Sequence, residues 1–198
     1  MQLLRHGEPE GGGRHCGGTD VALSPKGWEQ MRAAVVGRSW DLIVSSPLRR
    51  CAAFAEALAR ELTARWRIEV DFREMSFGAW EGRSAGELMQ TDPERLRLFW
   101  SDPSIHTPPG GEPLAQLRSR VIAAWQRLVT DQATGRLLIV THSGPIRLLL
   151  AAHHRTPLSS LLSIEVPYAA LITIECLSDG SFPADPGLEG SPIPKESR

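Results

Sequence analysis

Short apolar runs in this sequence alternate with segments whose apolar residues recur at helical spacing, and this alternation restricts the possible folds more than any other feature. Asp41–Ser45 and Leu137–Thr141 are runs of Leu, Ile and Val that are typical of buried strands. Between them, Leu48–Leu62 carries apolar residues three and four positions apart, as one face of a helix does. Strands that alternate with helices favour a largely parallel sheet with helices on both faces. We therefore predict a three-layer α/β fold.

The rest of the chain adds strands and helices to this pattern. Further extended segments are predicted at Met1–Leu4, Ile68–Phe72, Ser163–Val166 and Ala170–Cys176. Ser24-Pro25 and Ser46-Pro47 each combine a residue that caps helices with a proline suited to the first helical turn. Each of these pairs therefore predicts the start of a helix.

One internal segment and the C-terminal stretch differ from the predicted core. Residues 84–111 are less regular, with two short helices and a stop rich in proline and glycine, so we predict a lid-like insertion over a pocket. From residue 178 onward Gly, Pro and Ser dominate, and little can be buried. We therefore predict one domain over residues 1–177 and a disordered tail over 178–198.

Charge and composition narrow the classes of partner. The 22 Lys and Arg and 23 Asp and Glu give a net charge of −1, which provides no general attraction for nucleic acid or anionic membrane. No apolar run approaches the roughly 20 residues that cross a bilayer, and the first residues lack a signal-peptide pattern. The three scattered cysteines do not suggest a disulfide framework. We expect a cytoplasmic protein that acts on a small molecule, with a homodimer left open.

Two histidines follow directly after predicted strands. His6 stands between Arg5 and Gly7 at the end of the first strand, and His142 follows Leu137–Thr141. Because ligands of parallel sheets bind beyond the carboxyl ends of the strands, both imidazoles are expected near the ligand. The guanidinium fork of Arg5 suits phosphate or carboxylate, and Gly7 lets another group approach the backbone closely. One histidine at a strand end is more often structural than catalytic, but this pair favours an anion site.

Five motifs follow one another from residue 3 to about residue 176. They are Leu4-Arg5-His6-Gly7-Glu8, Arg14 to Gln30 with its spaced Gly17, Asp20 and Gly27, Ser45 to Arg50, Arg73 to Gly82, and Thr141-His142-Ser143-Gly144. In order and spacing they resemble the motifs of the histidine phosphatase superfamily, the phosphoglycerate-mutase-like proteins. The resemblance implies a three-layer α/β/α sandwich whose sheet is mostly parallel, with one antiparallel strand.

The resemblance also implies that His6 is the nucleophile and carries a transient phosphoryl group, a role that a neutral imidazole suits near pH 7. Arg5, Arg50 and His142 would surround the phosphoryl oxygens with positive charge. Glu74, in its protonated form, would give a proton to the leaving oxygen and then activate water. Further phosphate or substrate contacts are expected from Gly7, Ser143 and Arg14. No metal and no cofactor are needed, because the arginines and the imidazole supply the charge.

Two of these assignments depend on motif position alone. Arg49 and Arg50 both lie off the core face of their helix, so periodicity does not choose between them, and the family's spacing favours Arg50. Glu74 is favoured over Glu81 as the acid in the same way, with Glu81 expected in a supporting hydrogen bond.

The resemblance favours a phosphatase. The sequence from Phe77 to Gly82 is similar to the phosphatase form of its motif, and together with Pro108–Glu112 it resembles α-ribazole-5′-phosphate phosphatases of cobalamin biosynthesis. We therefore expect a phosphomonoesterase that hydrolyses a small phosphorylated metabolite through phosphohistidine, with α-ribazole 5′-phosphate as a candidate substrate. Two alternatives stay open, namely phosphoryl transfer of the phosphoglycerate mutase type and a binding or regulatory protein with little turnover.

Overall fold

A five-stranded sheet forms the centre of the structure, a computed structural model that describes residues 1–131, 135–175 and 181–182. The strands are β1 (Gln2–Arg5), β2 (Leu42–Ser45), β3 (Arg65–Ile68), β4 (Leu137–Thr141) and β5 (Leu171–Thr173). The α-helices of the described residues are α1 (Pro25–Val35), α2 (Arg49–Leu62), α3 (Ala85–Thr91), α4 (Pro93–Ser101), α5 (Leu114–Asp131) and α6 (Ser143–His153). Short 3-10 helices lie at Val70–Phe72, Gly78–Trp80 and Leu158–Ser163.

The sheet is parallel except at one edge. Its strand order is β3-β2-β4-β1-β5, and only β5 runs antiparallel to its neighbour, β1. Every residue of β2 and β4 is buried, as expected for strands covered on both faces. This topology confirms the predicted sheet, mostly parallel with one antiparallel strand.

Helices cover both faces of the sheet and divide its apolar side chains into two clusters. On one face, Leu4 and Ile43 pack with residues of α1 and α2. On the other face, Leu3 and Val44 pack with residues of α3, α4, α5 and α6. Because successive side chains of a strand point to opposite faces, each short strand contributes to both clusters. The result is the predicted three-layer α/β/α sandwich.

Two of the predicted strands are wrong. The third strand is Arg65–Ile68 rather than Ile68–Phe72, and Val70–Phe72 forms a 3-10 helix instead. This edge strand carries mostly exposed side chains, so its apolar content does not reveal it. Ser163–Val166 is not a strand either, because Ser163 ends a 3-10 helix and Ile164 and Val166 pack into one of the two core clusters without joining the sheet.

Other predictions concern segments outside the central sheet. The segment 84–111 contains α3 and α4, which are the two helices expected there. β5 lies within the predicted strand Ala170–Cys176, of which Cys176 is outside the described residues. The predicted tail 178–198 also lies outside them, apart from residues 181–182. Within the described ranges, every helix is too short or too polar to cross a membrane.

The two Ser-Pro pairs have different roles in the structure. Ser24 begins α1 as predicted, and its hydroxyl accepts a hydrogen bond from the N–H of Gly27 at 3.0 Å. The second helix, α2, is instead capped by Leu48, which makes no side-chain cap bond. The hydroxyl of Ser46 lies 2.7 Å from Nε2 of His142. The second pair therefore places a hydroxyl at the edge of the sheet, next to one of the motif histidines.

Candidate active site

The register of the sheet brings the two motif histidines together. Arg5 is paired with Thr141 across β1 and β4, so His6 and His142 both come one residue after paired positions. Their rings meet edge to face with centroids 5.1 Å apart. Both side chains are buried. Two residues that are far apart in the sequence therefore form one contact at the carboxyl edge of the sheet.

The environment of His6 fixes its protonation. Nδ1 lies 2.7 Å from the carbonyl oxygen of Gly7 and must donate to it, because a carbonyl only accepts. Burial lowers the pKa of His6 to about 3, and the charges of Arg50 and Arg5 act in the same direction. At neutral pH the ring is therefore uncharged, with its proton on Nδ1 and its lone pair on Nε2.

His142 is also an uncharged imidazole. Burial lowers its pKa well below the ordinary value, and Arg50 and His6 add to this effect. Nε of Arg50 donates to Nδ1 of His142 at 3.2 Å. The ring proton is therefore on Nε2, where it can be donated to the hydroxyl of Ser46.

Arg50, and not Arg49, is the arginine buried at the site. Arg50 is fully buried, whereas Arg49 is exposed and its backbone N–H donates to Asp20. The other N–H groups of Arg50 donate to the carbonyl oxygens of the loop before α1, at Cys16, Gly17 and Thr19. Arg50 thus joins that loop to His142.

Glu81 holds the same loop from its other side. Its carboxylate accepts hydrogen bonds from the backbone N–H groups of Gly17, Gly18, Thr19 and Phe77 and from the Thr19 hydroxyl. Burial opposes ionisation of Glu81, but these hydrogen bonds outweigh it and lower its pKa. A carboxyl group held in its charged form is poorly suited to act as a general acid. In the structure Glu81 makes the hydrogen bonds expected of it, and the choice of Glu74 as the acid stays a prediction.

The carboxyl group of Glu74 lies against the first residues of α6. Its carboxyl oxygens accept from the N–H of Gly144 at 3.2 Å and from the Ser143 hydroxyl at 3.1 Å, and Oε1 accepts from the N–H of Met75 at 3.0 Å. A Cβ on residue 144 would lie 2.2 Å from Oε1 of Glu74, so the motif glycine makes room for this carboxyl group. The motif that follows β4 therefore orients Glu74 as well as supplying His142.

Arg120, on α5, supports the segment that carries Glu74. Its guanidinium donates to both carboxyl oxygens of Glu112 at 2.7 Å and to the backbone carbonyl oxygens of Asp71, Arg73 and Glu74. Both members of the ion pair are about nine-tenths buried. No sequence motif identifies Arg120, because its partners come from two separate loops.

A cavity of about 240 Å³ opens beside these residues. His6, Glu74 and Ser143 line it together with the cationic side chains of Arg5, Arg14 and Arg147 and with His15. Most of the remaining wall is apolar and includes Met75, Phe77, Phe99, Leu114, Leu117 and Leu161. A single carboxyl group, a buried imidazole and several cations in a largely apolar cavity can bind and attack a small anionic ester.

Three of the predicted phosphate contacts do not line this cavity. Arg50 and His142 are not among the residues that line it, although the His142 ring contacts the ring of His6, which does. Gly7 does not line the cavity either. The group that approaches this glycine is the backbone of Gly27, because a Cβ on residue 7 would lie 2.2 Å from the Gly27 carbonyl oxygen. The glycine of the first motif is thus required by the crossing of two backbones.

The remaining predicted residues, Arg5, Arg14 and Ser143, do line the cavity. Nη1 of Arg14 donates to the carbonyl oxygen of Gly82 and to Glu87, and the side chain is about half exposed. Arg147 was not predicted; its Nε donates to the carbonyl oxygen of Ile164 at 2.8 Å. A signal for it existed, because it is the one charged residue in the apolar run of α6. In the described part of the chain, no cluster of three or more His, Cys, Asp or Glu is arranged to hold a metal ion.

Known proteins resemble the chain along most of its length. The sequence model of the histidine phosphatase superfamily (branch 1) matches residues 1–183. The bifunctional protein Rv2228c of Mycobacterium tuberculosis is 34% identical over 187 residues, which are 91% of this chain but 51% of that protein. The chain therefore spans about half the length of this relative.

Two further comparisons cover most of both proteins. The adenosylcobalamin/alpha-ribazole phosphatase of Escherichia coli is 31% identical over 156 residues, 76% of this chain and 77% of that protein. The mycobacterial glucosyl-3-phosphoglycerate phosphatase Rv2419c, solved with VO3, superposes with a TM-score of 0.78 at 28% identity and covers 86% of this chain and 88% of that one.

Proposed function

Because the chain belongs to the histidine phosphatase superfamily, we propose that it hydrolyses phosphoric monoesters through a phosphohistidine formed on His6. One observation carries the proposal: Nδ1 of His6 is bonded to the Gly7 carbonyl oxygen, which leaves the lone pair on Nε2 of a residue that lines the cavity. A buried, uncharged imidazole is a nucleophile at neutral pH. The phosphatases among the compared proteins support hydrolysis as the reaction.

Two displacements at phosphorus make up the proposed reaction. In the first, Nε2 of His6 forms a bond to phosphorus while the ester P–O bond breaks, and the leaving oxygen takes a proton from Glu74. In the second, a water oxygen bonds to phosphorus while the P–N bond breaks, and Glu74 takes a proton from that water. Covalent catalysis of this kind replaces one difficult step with two easier ones.

The cations of the site stabilise the phosphoryl oxygens in this scheme. Arg5 lines the cavity next to the nucleophile. Arg50 does not line the cavity, but its charge helps to keep His6 uncharged. His142 is uncharged, so it does not add the positive charge that the motifs led us to expect from it beside Arg50. Their direct contact with the phosphoryl group, which the motif resemblance implies, stays a prediction. Preorganised positive charge in a site with little water lowers the energy of the transition state strongly.

The test is the release of phosphate from p-nitrophenyl phosphate by the wild type and by His6→Ala, with His154→Ala as a matched control on an exposed histidine. We expect His6→Ala to lower kcat by ~10³-fold or more, and the control to match the wild type. Brief incubation with labelled ester should trap an acid-labile phosphoryl group only when His6 is present. Equal turnover by His6→Ala and the wild type would falsify the proposal.

The apolar wall favours an ester whose leaving group is aromatic or apolar. Phe77 and Phe99 line the cavity and pack edge to face, with centroids 6.5 Å apart. We propose α-ribazole 5′-phosphate as the candidate substrate, because its aromatic base suits this wall and a related phosphatase is named for α-ribazole. Ribose 5-phosphate, which lacks the base, is the matched control. We expect kcat/KM to be about tenfold or more higher for the base-containing ester; equal values would remove this substrate class.

Hydrolysis and mutase chemistry differ in what they need and release. A mutase has to retain a bisphosphate between its two half-reactions, whereas the hydrolase releases inorganic phosphate without an added bisphosphate. About half of the residues that line the cavity are apolar, and a wall of this kind suits one phosphoryl group better than two. Phosphate release from a monoester in the absence of any bisphosphate therefore supports hydrolysis, and an isomerised ester as the main product would contradict it.

A further inference from the structure

Tyr168 packs against Arg5 and His6 of the first motif and belongs to none of the five motifs. It is the one tyrosine of the chain. The guanidinium carbon of Arg5 lies 4.1 Å from the centre of the Tyr168 ring, and the His6 ring centroid lies 5.8 Å from it. All three residues line the cavity. A guanidinium stacked on an aromatic face is attracted to it and restrained in its plane.

The turn that carries Tyr168 is attached to the end of β1 by its backbone. The N–H of Arg5 donates to the carbonyl oxygen of Ala170 at 3.0 Å, and the N–H of Ala169 donates to that of His6 at 3.2 Å. Ala169 has a φ of 57°, in the left-handed region that a residue with a Cβ rarely adopts. These bonds keep the Tyr168 ring in register with Arg5 and His6.

In the guanidinium of Arg5, one N–H group is hydrogen-bonded and the Nε–H has no partner among the described residues. Nη1 donates to the carbonyl oxygen of Val166. The Nε of Arg5 is buried and has no hydrogen-bond partner among the described residues. In arginine, the N–H groups on Nε and Nη2 point in the same direction and form a fork that matches two oxygens of a phosphate. Val166 accepts from Nη1 and the Tyr168 ring lies against one face of the guanidinium, so the unused donor of this group is on the Nε–Nη2 edge.

We propose that Tyr168 is a positioning residue that fixes the plane of the Arg5 guanidinium, so that its Nε–Nη2 edge meets the phosphoryl group bound at His6. The proposal rests on the proposed function, since it assigns the anion to that site. The aromatic face performs this role, and the hydroxyl is not required. A ring that served only as a wall for the leaving group would affect some esters and not others.

Kinetics of two variants test the proposal. We expect Tyr168→Leu to raise the inhibition constants of orthovanadate and inorganic phosphate by about tenfold. It should also lower kcat/KM by the same factor for p-nitrophenyl phosphate and ribose 5-phosphate. Tyr168→Phe keeps the aromatic face and should stay within about threefold of the wild type. Three results would each overturn the proposal. They are unchanged inhibition constants and kcat/KM in Tyr168→Leu, an equal fall of kcat/KM in Tyr168→Phe, and a fall of kcat/KM for one ester only.

A binding measurement separates this proposal from the proposed hydrolase. Protein labelled with 3-fluorotyrosine has a single ¹⁹F resonance, because Tyr168 is the one tyrosine. In the His6→Ala background, which cannot form phosphohistidine, phosphate should shift this resonance, and adding Arg5→Met should abolish the shift. If no ester is turned over but the shift occurs, the hydrolase proposal fails and the Tyr168 assignment stands. If turnover is normal but the resonance ignores phosphate, the Tyr168 assignment fails. Near-UV circular dichroism of Tyr168→Leu establishes that the variant is folded.

Discussion

The imidazoles of His6 and His142 meet edge to face with their centroids 5.1 Å apart, and both are buried. Two charged rings in this position would repel each other, and burial lowers the pKa of each ring, so both histidines are uncharged at neutral pH. The partners of each ring then fix its proton, with Gly7 accepting from Nδ1 of His6 and Arg50 donating to Nδ1 of His142. Opposite tautomers therefore lie side by side at the carboxyl edge of the sheet.

The first prediction concerns the titration of His6. Because its pKa is lowered to about 3, the neutral form persists as the pH falls past 6.5, and protonation begins only near pH 4. We expect ¹⁵N spectra of ring-labelled histidine to show His6 as the neutral Nδ1–H tautomer from pH 8 to about pH 4.5. The His6→Ala spectrum assigns the resonance. Conversion to the imidazolium form with a midpoint near 6.5 would contradict the environment described for this ring.

The second prediction concerns Arg120, which ties α5 to the backbone that carries Glu74. Replacing it with Met leaves the buried Glu112 carboxylate without its partner, so the free energy of unfolding should fall by about 3–5 kcal/mol. The kcat should fall as well, because the carbonyl oxygens of Asp71, Arg73 and Glu74 lose their shared donor. Urea unfolding and steady-state kinetics measure the two effects.

Arg127→Met is the matched control for Arg120. This arginine lies on the same helix and pairs with Glu69 and Asp71, but its side chain is half exposed. Its loss should cost about 1 kcal/mol or less and leave kcat unchanged. Equal effects of the two substitutions would show that burial of the Arg120 ion pair does not matter.

The third prediction concerns Glu81, whose carboxylate holds the loop that Arg50 contacts. Glu81→Gln replaces one acceptor oxygen by an NH₂ group that faces backbone N–H donors. We expect kcat/KM for p-nitrophenyl phosphate to fall by about tenfold or more, because the loop and Arg50 shift. Glu61→Gln, which breaks an exposed pair with Arg32, should leave it unchanged. A loss that appears only as lower protein stability, with kcat/KM intact, would limit Glu81 to a structural role.

The fourth prediction uses two helical glycines. A Cβ on Gly27 in α1 would lie 2.2 Å from the carbonyl oxygen of Glu8, whereas one on Gly86 in α3 would meet nothing closer than 3.9 Å. Gly27→Ala should therefore lower the free energy of unfolding by about 1–3 kcal/mol, and Gly86→Ala should raise it by up to ~1 kcal/mol. Chemical unfolding of both variants checks the opposite signs. A stabilising Gly27→Ala would mean that the crossing of the α1 and Gly7 backbones is loose.

Much of the fold could be predicted because its determinants are local. The buried strands β2 and β4 are continuous apolar runs, and the amphipathic stretch of α2 marks one helix between them. Edge strand β3 escaped prediction because its exposed arginines carry no burial pattern. Ser163–Val166 was mistaken for a strand because an apolar stretch that packs into the core without pairing has the same composition as one paired in a sheet.

By itself the sequence determined which chemistry is available, namely two histidines after strands, an arginine beside one of them, and two glutamates in the fourth motif. Only the tertiary structure decided how these groups are used. In the fold Arg50 is buried instead of Arg49, and Glu81 is kept in its charged form by hydrogen bonds from a loop. The backbone of Gly27 contacts that of Gly7. Arg120 and Tyr168 lie beside residues of the motifs. The reason is that protonation and orientation depend on burial and on hydrogen-bond partners. Those partners come from segments far apart in the chain.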